Sequence, residues 1–393
     1  MTTAVIVDAV RTPGGKRNGK LRNWHAVDLL SEPLKALQQR NDLDPAIVED
    51  VITGCVMQVA EQSLNVGRNA VLAAGWPESV PATSIDRQCG SSQQAIHFAA
   101  QGVAAGAYDV VVAAGVESMT RTPMGSSVVR DLGFPFGPRM MTRYAERGGL
   151  VNQGISAEMI SEQWGLSRED LDRFSVQSHE RAARATAEGR FENEIVPVPV
   201  RDDSGNATDE MVTSDEGIRP DTTLEVLAGL KPAYKPEGGK VTAGNSSQIT
   251  DGASAVLIMS EEKALSLGLT PRARFHAFAV AGVDPVTMLT GPIPATTAVL
   301  ERAKLTLDDI DLVEINEAFA SVVLAWEKEH HPDMERVNVN GGAIALGHPL
   351  GASGAKLMAT LLNELERTGG RYGLLTMCEG GGMANATVIE RLG

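Results

Sequence analysis

A chain of 393 residues, 43% of them hydrophobic, is too long for one ordinary core, so two or three packed units are expected. A net charge of −15 has the wrong sign for phosphate-driven association, and only 4% of the residues are aromatic, so nucleic acid is not an expected partner. The three cysteines, Cys55, Cys89 and Cys378, are too few and too odd in number for a disulfide framework and suit a reducing, cytoplasmic setting with free thiols.

The chain opens on a strand, Ala4 to Val7, and Asp8, Arg11 and Lys16 follow too closely for a secretory signal. No apolar run approaches the roughly 20 residues of a bilayer span, so no membrane partner is expected. A helix over Ala26 to Gln39, a strand at Asp50 to Val56, a helix from Ser63 into Ala74, a strand near Ala82 to Ile85 and a helix from about Gly90 to Ala105 follow. The next run, from Val110 to Ala114, is continuously apolar, as in a sheet covered on both faces. This alternation is α/β. Between Thr120 and Ser247 the composition shifts to Arg, Met, Asp, Gly and Pro around two helical segments, Ser156 to Trp164 and Arg168 to Glu188, and reads as an insertion. Ile249 to Met259 is a strand again. The later chain echoes the earlier one: Leu43 to Val56 resembles Leu307 to Phe319, and Ala105 to Met119 resembles Gly369 to Met383, which points to duplication.

Four short segments carry candidate chemistry. Asn338 to Lys356, N-V-N-G-G-A-I-A-L-G-H-P-L-G-A-S-G-A-K, surrounds His348 with glycines, as close backbone approach requires. Arg87 to Ser92, R-Q-C-G-S-S, puts Cys89 at the expected start of a helix, where a thiol pKa is lowered. Ile315 to Ala320, I-N-E-A-F-A, supplies Asn316. Met377 to Met383, M-C-E-G-G-G-M, places Cys378 at a strand end before glycines whose N–H groups can approach an oxyanion. Cys55 is assigned to packing. No H-E-x-x-H or closely spaced Cys/His ligand set occurs, so no metal is implied, and the glycine runs lack the G-x-x-x-x-G-K-[ST] order of a triphosphate loop.

In order and spacing, these segments resemble the thiolases through essentially the whole chain. The resemblance implies a five-layer αβαβα sandwich of two similar halves with an inserted loop domain: 1–119 plus 248–270, 120–247, and 271–393. It also implies CoA-dependent thiolytic cleavage of a 3-oxoacyl-CoA, or the reverse condensation, with coenzyme A as co-substrate and no permanently bound cofactor. Cys89 would be the nucleophile and His348 its base. Cys378 would move the proton at the carbon nucleophile, and the N–H groups of Cys89 and Gly380 would hold the thioester oxyanion. Asn316 would hold a water beside His348. Ser247 and Ala243 of T-A-G-N-S-S, with Met288 and Phe319, match the pantetheine and acyl path, and Arg219 and Lys231 are the candidate CoA-phosphate cations. A homodimer or homotetramer is implied.

Two positions depart from the pattern of many short-chain acetoacetyl-CoA thiolases: Asn152-Gln153-Gly154 stands where His-Met-Gly is common, and Glu379 where an apolar or small residue is. Glu379 either pairs with a basic partner away from the pocket or adds polarity to it, and both changes point beyond a strict C4 substrate. The rivals are a biosynthetic acetoacetyl-CoA thiolase, a decarboxylating ketosynthase, against which the Cys378 segment speaks, and a silent acyl-CoA carrier.

Overall fold

The computed structural model describes residues 2–393, so Met1, the first residue of the expected N-terminal half, lies outside it. Strands β1 (Ala4–Arg11), β2 (Gly15–Lys16), β3 (Asp50–Gly54), β4 (Ala82–Ile85) and β5 (Val110–Ser118) precede the insertion. The insertion contains a two-stranded ribbon of β6 (Val198–Arg201) and β7 (Ala207–Val212), and after it come β8 (Thr250–Ser260), β9 (Ala273–Gly282), β10 (Leu312–Ile315), β11 (Tyr372–Glu379) and β12 (Met383–Arg391).

The repeat seen in the sequence is a repeat of topology. In the first half, parallel β3 and β5 lead to antiparallel β8 and then β1; in the second, parallel β10 and β11 lead to antiparallel β12 and then β9. The echoing segments are thus β3 with β10 and β5 with β11. The two sets meet where β1 pairs with β9 at Val5–Arg274 and Ile6–Ala273.

Three hydrophobic cores separate the layers. Successive side chains of a strand point to opposite faces. Val110 and Val112 therefore join an outer core under the Ala26–Arg40 and Val66–Ala73 helices, whereas Val111 and Ala113 join a central one. That central core also takes Ile96 and Ala99 from the Ser91–Ala104 helix, Met358 and Leu362 from the Ser353–Thr368 helix, and Leu375 and Met377 from β11. A third core lies beneath the Pro292–Ala303 and Ala320–His330 helices and includes Cys378. Helix, sheet, paired helices, sheet and helix make up the five layers. The two central helices begin beside each other, and their starts carry Cys89 and His348.

Candidate active site

Cys89 closes a tight turn. Gln88 holds a left-handed φ of 49°, a conformation that costs a side-chain-bearing residue of order 1–3 kcal/mol, and it is pinned there from both sides. Its N–H donates to Asp86 Oδ1 at 2.6 Å, and its carbonyl accepts from the Ser91 hydroxyl at 2.6 Å. Gly90 is the N-cap of the Ser91–Ala104 helix, so Cys89 stands just ahead of the first turn. The helix start was expected to lower the thiol pKa. Burial instead pushes it up to about 12, reinforced by Glu379, while the Gly380 amide, its own amide and the Gln153 side chain pull the other way. In the ligand-free protein Cys89 is therefore a thiol and needs a base.

Cys378 faces Ala384 across the β11–β12 pair and is fully buried. Burial, then Cys89, then Glu379 push its pKa well up, so it too holds its proton. Gly381 and Gly382, at φ of 82° and 81°, make the turn that brings β12 back. Glu379 follows neither expectation. It is fully buried with no hydrogen-bond partner on either carboxyl oxygen, and it points at Gly90 rather than into the cavity.

His348 is held by a chain whose protons can be assigned. The Ser353 hydroxyl donates to the Pro349 carbonyl at 2.8 Å, so its oxygen accepts at 2.5 Å from His348 Nδ1. Nε2 is then the bare nitrogen, and it faces Asn316 Nδ2 at 3.4 Å. Burial, then the nearby Lys356, lower the imidazole pKa to about 3, so the ring stays neutral, with Nε2 free to accept a proton. Lys356 secures the backbone ahead of it, donating to the Leu346 and Gly347 carbonyls at 3.1 and 3.0 Å. Asn316 leaves its buried Oδ1 without a partner.

A cavity of about 700 Å³ joins the two sides and is lined by Cys89, His348, Ser247, Ala243, Phe319 and Arg219 among others. Asn316, Cys378 and Gly380 lie behind this lining, against His348 and Cys89. Two expected residues do not belong to it. Met288 is buried in the outer core of the second half because its segment packs inward, and Lys231 is exposed and outside the lining, two residues before Ala233, which belongs to it. Lys16 at the end of β2 and Arg17 just after it line the cavity. Their signal, a Gly-Gly followed by two cations, was present in the sequence but fell in a segment with no periodicity. Tyr234, the other unanticipated wall, packs against Phe319 and closely over Gly154, where any side chain would collide with its ring.

A buried nucleophile-bearing turn and a neutral imidazole on one cavity define an acyl-transfer enzyme of the cysteine type. Models of the thiolase N-terminal and C-terminal domains match residues 4–262 and 269–391. The chain is 52% identical to the steroid 3-ketoacyl-CoA thiolase FadA6 of Mycobacterium tuberculosis, over 100% of this chain and 95% of that protein. It is 48% identical to a 3-ketoacyl-CoA thiolase of Aliivibrio fischeri, with 100% of both covered. The crystal structure of the Bacillus anthracis acetyl-CoA acetyltransferase superposes with a TM-score of 0.90 at 40% identity, over 100% of this chain and 99% of that one. The chain belongs to the thiolase family, and it is an acyltransferase.

Proposed function

We propose that the protein cleaves 3-oxoacyl-CoA substrates with coenzyme A, and that the residues act as follows. His348 Nε2 takes the Cys89 proton, and the thiolate attacks the 3-keto carbon. The C2–C3 bond breaks, leaving the acyl group on Cys89 and the enolate of acetyl-CoA. His348 and an Asn316-held water stabilise that enolate, and Cys378 protonates its C2. Coenzyme A then gives its thiol proton to the Cys378 thiolate and attacks acyl-Cys89, the departing Cys89 sulfur takes its proton back from His348, and an acyl-CoA two carbons shorter is released. The N–H groups of Cys89 and Gly380 hold the thioester oxyanion throughout.

The observation that carries this reading is the convergence of Cys89, Cys378, His348 and Asn316, from four distant segments, around one cavity. Arg219, Lys16 and Arg17 at its wall are the proposed phosphate contacts, with Ser247 and Ala243 along the pantetheine path. We assign the chemistry to the domain division 1–119 plus 248–270, 120–247 and 271–393, acting as a cytoplasmic homodimer or homotetramer. CoA-dependent loss of the 3-oxoacyl-CoA enolate absorbance tests the activity, and a binder without turnover would be a carrier.

The acyl group is proposed to be bulkier than acetoacetyl. The cavity is within the roughly 300–1,000 Å³ range of sites for sizeable ligands, and Gln153 with Asn152 lines it. The relative named for steroid substrates supports the same direction. A substrate panel should give kcat/KM on longer or branched 3-oxoacyl-CoAs at least equal to that on acetoacetyl-CoA. A hundredfold advantage for acetoacetyl-CoA, about 2.7 kcal/mol in transition-state binding, would overturn this and favour a biosynthetic enzyme.

A further inference from the structure

Beneath the nucleophile lies a buried polar chain that the mechanism does not use. Asn385 on β12 donates from Nδ2 to Gln94 Oε1 at 3.0 Å and to His97 Nδ1 at 3.1 Å. With Nδ1 accepting, His97 carries its hydrogen on Nε2, which meets Thr387 Oγ1 at 2.7 Å. Thr387 Oγ1 also accepts from Gln93 Nε2 at 2.9 Å. The Asn385 amide is thereby oriented, and its Oδ1 is left pointing at Gly90 with no donor.

Glu379 meets it there. A Cβ added to Gly90 would stand 1.9 Å from Glu379 Oε1 and 3.1 Å from Asn385 Oδ1. Gly90 has an ordinary φ of −86°, so it is the carboxyl group, not the backbone, that bars a side chain at this position. Two buried acceptors with no donor face the same side of Gly90, where a side chain would begin, and both residues are fully buried. An unmet buried acceptor costs about 1–3 kcal/mol and an unpaired buried charge far more. One proton on Glu379 resolves both.

We propose that Glu379 is a positioning residue for the nucleophile: held as the neutral acid, it donates to Asn385 Oδ1 and, through Asn385 and its bonds to Gln94 and His97, ties the strand end carrying Cys378 to the helix that Cys89 precedes, with no negative charge behind either sulfur. The charged and titratable groups around it are Arg87 and Asp86 in the turn, Cys89 at the helix start, Cys378 on its own strand and His97 beyond Asn385. Burial outweighs Arg87 and raises the carboxyl pKa to about 8, in keeping with the geometry. The pH consequence rests on Cys89 being the nucleophile; the protonation state of Glu379 does not.

Two variants of the full chain, Glu379→Gln and Glu379→Leu, test this. The wild-type minus Glu379→Gln infrared difference spectrum should show a protonated-carboxyl C=O band at neutral pH that fades as pH rises through about 8. Above that pH, iodoacetamide should alkylate Cys89 about tenfold faster in Glu379→Gln than in wild type, because a carboxylate behind the sulfur opposes the thiolate. Glu379→Leu, which cannot donate, should lose about tenfold in kcat with little change in KM, and Glu379→Gln should rescue most of it. Absence of the carboxyl band, or superimposable alkylation profiles, would overturn the proposal. If Glu379→Leu fails to fold, the infrared and alkylation results decide; if the protein proves not to be a thiolase, the infrared band still reads the Glu379 proton.

Discussion

The two walls of the cavity are built on opposite electrostatic plans. On the histidine wall the Nδ1 side of the ring is matched, with only Asn316 Oδ1 beyond Nε2 lacking a partner: Ser353 accepts from Nδ1 and passes its own hydrogen to Pro349, and Lys356 closes the carbonyls of Leu346 and Gly347. Lys356 is itself balanced within a buried cluster in which Arg11 pairs with Asp215 and Glu194. The cysteine wall has few donors behind it: Glu379 and Asn385 Oδ1 have only the proposed Glu379 proton between them, Gln93 Oε1 has none, and both thiols are pushed upward in pKa by burial. A base works best with a fixed tautomer and direction, whereas a nucleophile must become charged only when substrate and base are present. A wall that pins Nδ1 suits the first task. A dry one, in which burial outweighs the Cys89 and Gly380 amides and the Gln153 side chain, keeps the thiols neutral until turnover.

The largest effect expected from breaking this division is at Cys378. Cys378→Ala should still accept an acyl group on Cys89 from a simple acyl-CoA while losing carbon–carbon cleavage by on the order of 1,000-fold, since proton transfer at C2 is needed only there. Separate assays of the two half-reactions check it, and equal loss in both would make Cys378 structural.

Ser353→Ala is the corresponding break on the other wall. Removing the only acceptor for Nδ1–H frees the imidazole to turn or to change tautomer, and kcat should fall about 10- to 100-fold with KM little altered. An unchanged kcat would show that packing alone holds the ring.

The smallest effect concerns pH. His348 is lowered to about 3 from the ordinary 6.5, so it remains a base as acid is added, and any acid limb it causes lies near its folded pKa rather than near neutrality. Activity measured as kcat/KM should thus change less than about threefold between about pH 7 and pH 5.5. A clear inflection near 6.5 would mean that the ring is solvated and the wall less dry than the structure shows.

Much of this was legible in the sequence, for reasons that differ by element. The helix from Ala26 appears almost as expected because its apolar spacing is strong, and β4, Ala-Thr-Ser-Ile with no fully buried residue, falls at the expected place between its flanking turns. The duplication was visible because β3 and β10, like β5 and β11, occupy equivalent buried positions and so draw on the same residues. Strand β9 was not legible: its burial alternates irregularly, with His276 and Arg274 reaching Glu390 at the edge of the core. In the site, Cys89, His348, Asn316 and Cys378 stood out because glycines and small residues crowd around them. What the sequence could not show was the sign of the Cys89 shift. A helix start lowers a thiol pKa and burial raises it, and only coordinates reveal that the turn is dry. For the same reason Met288 sits in the outer core rather than in the cavity lining, since facing is a tertiary property.

The central claim is a covalent acyl-Cys89 formed on a thiol that His348 must deprotonate. It is tested most directly by mixing the protein with a 3-oxoacyl-CoA in the absence of free CoA and mapping the adduct by peptide mass spectrometry. The account predicts one acyl group, on the peptide carrying Cys89, discharged by added CoA and absent from a folded but inactive Cys89→Ser variant. An adduct on Cys378 or Cys55, or turnover retained by Cys89→Ser, would contradict it.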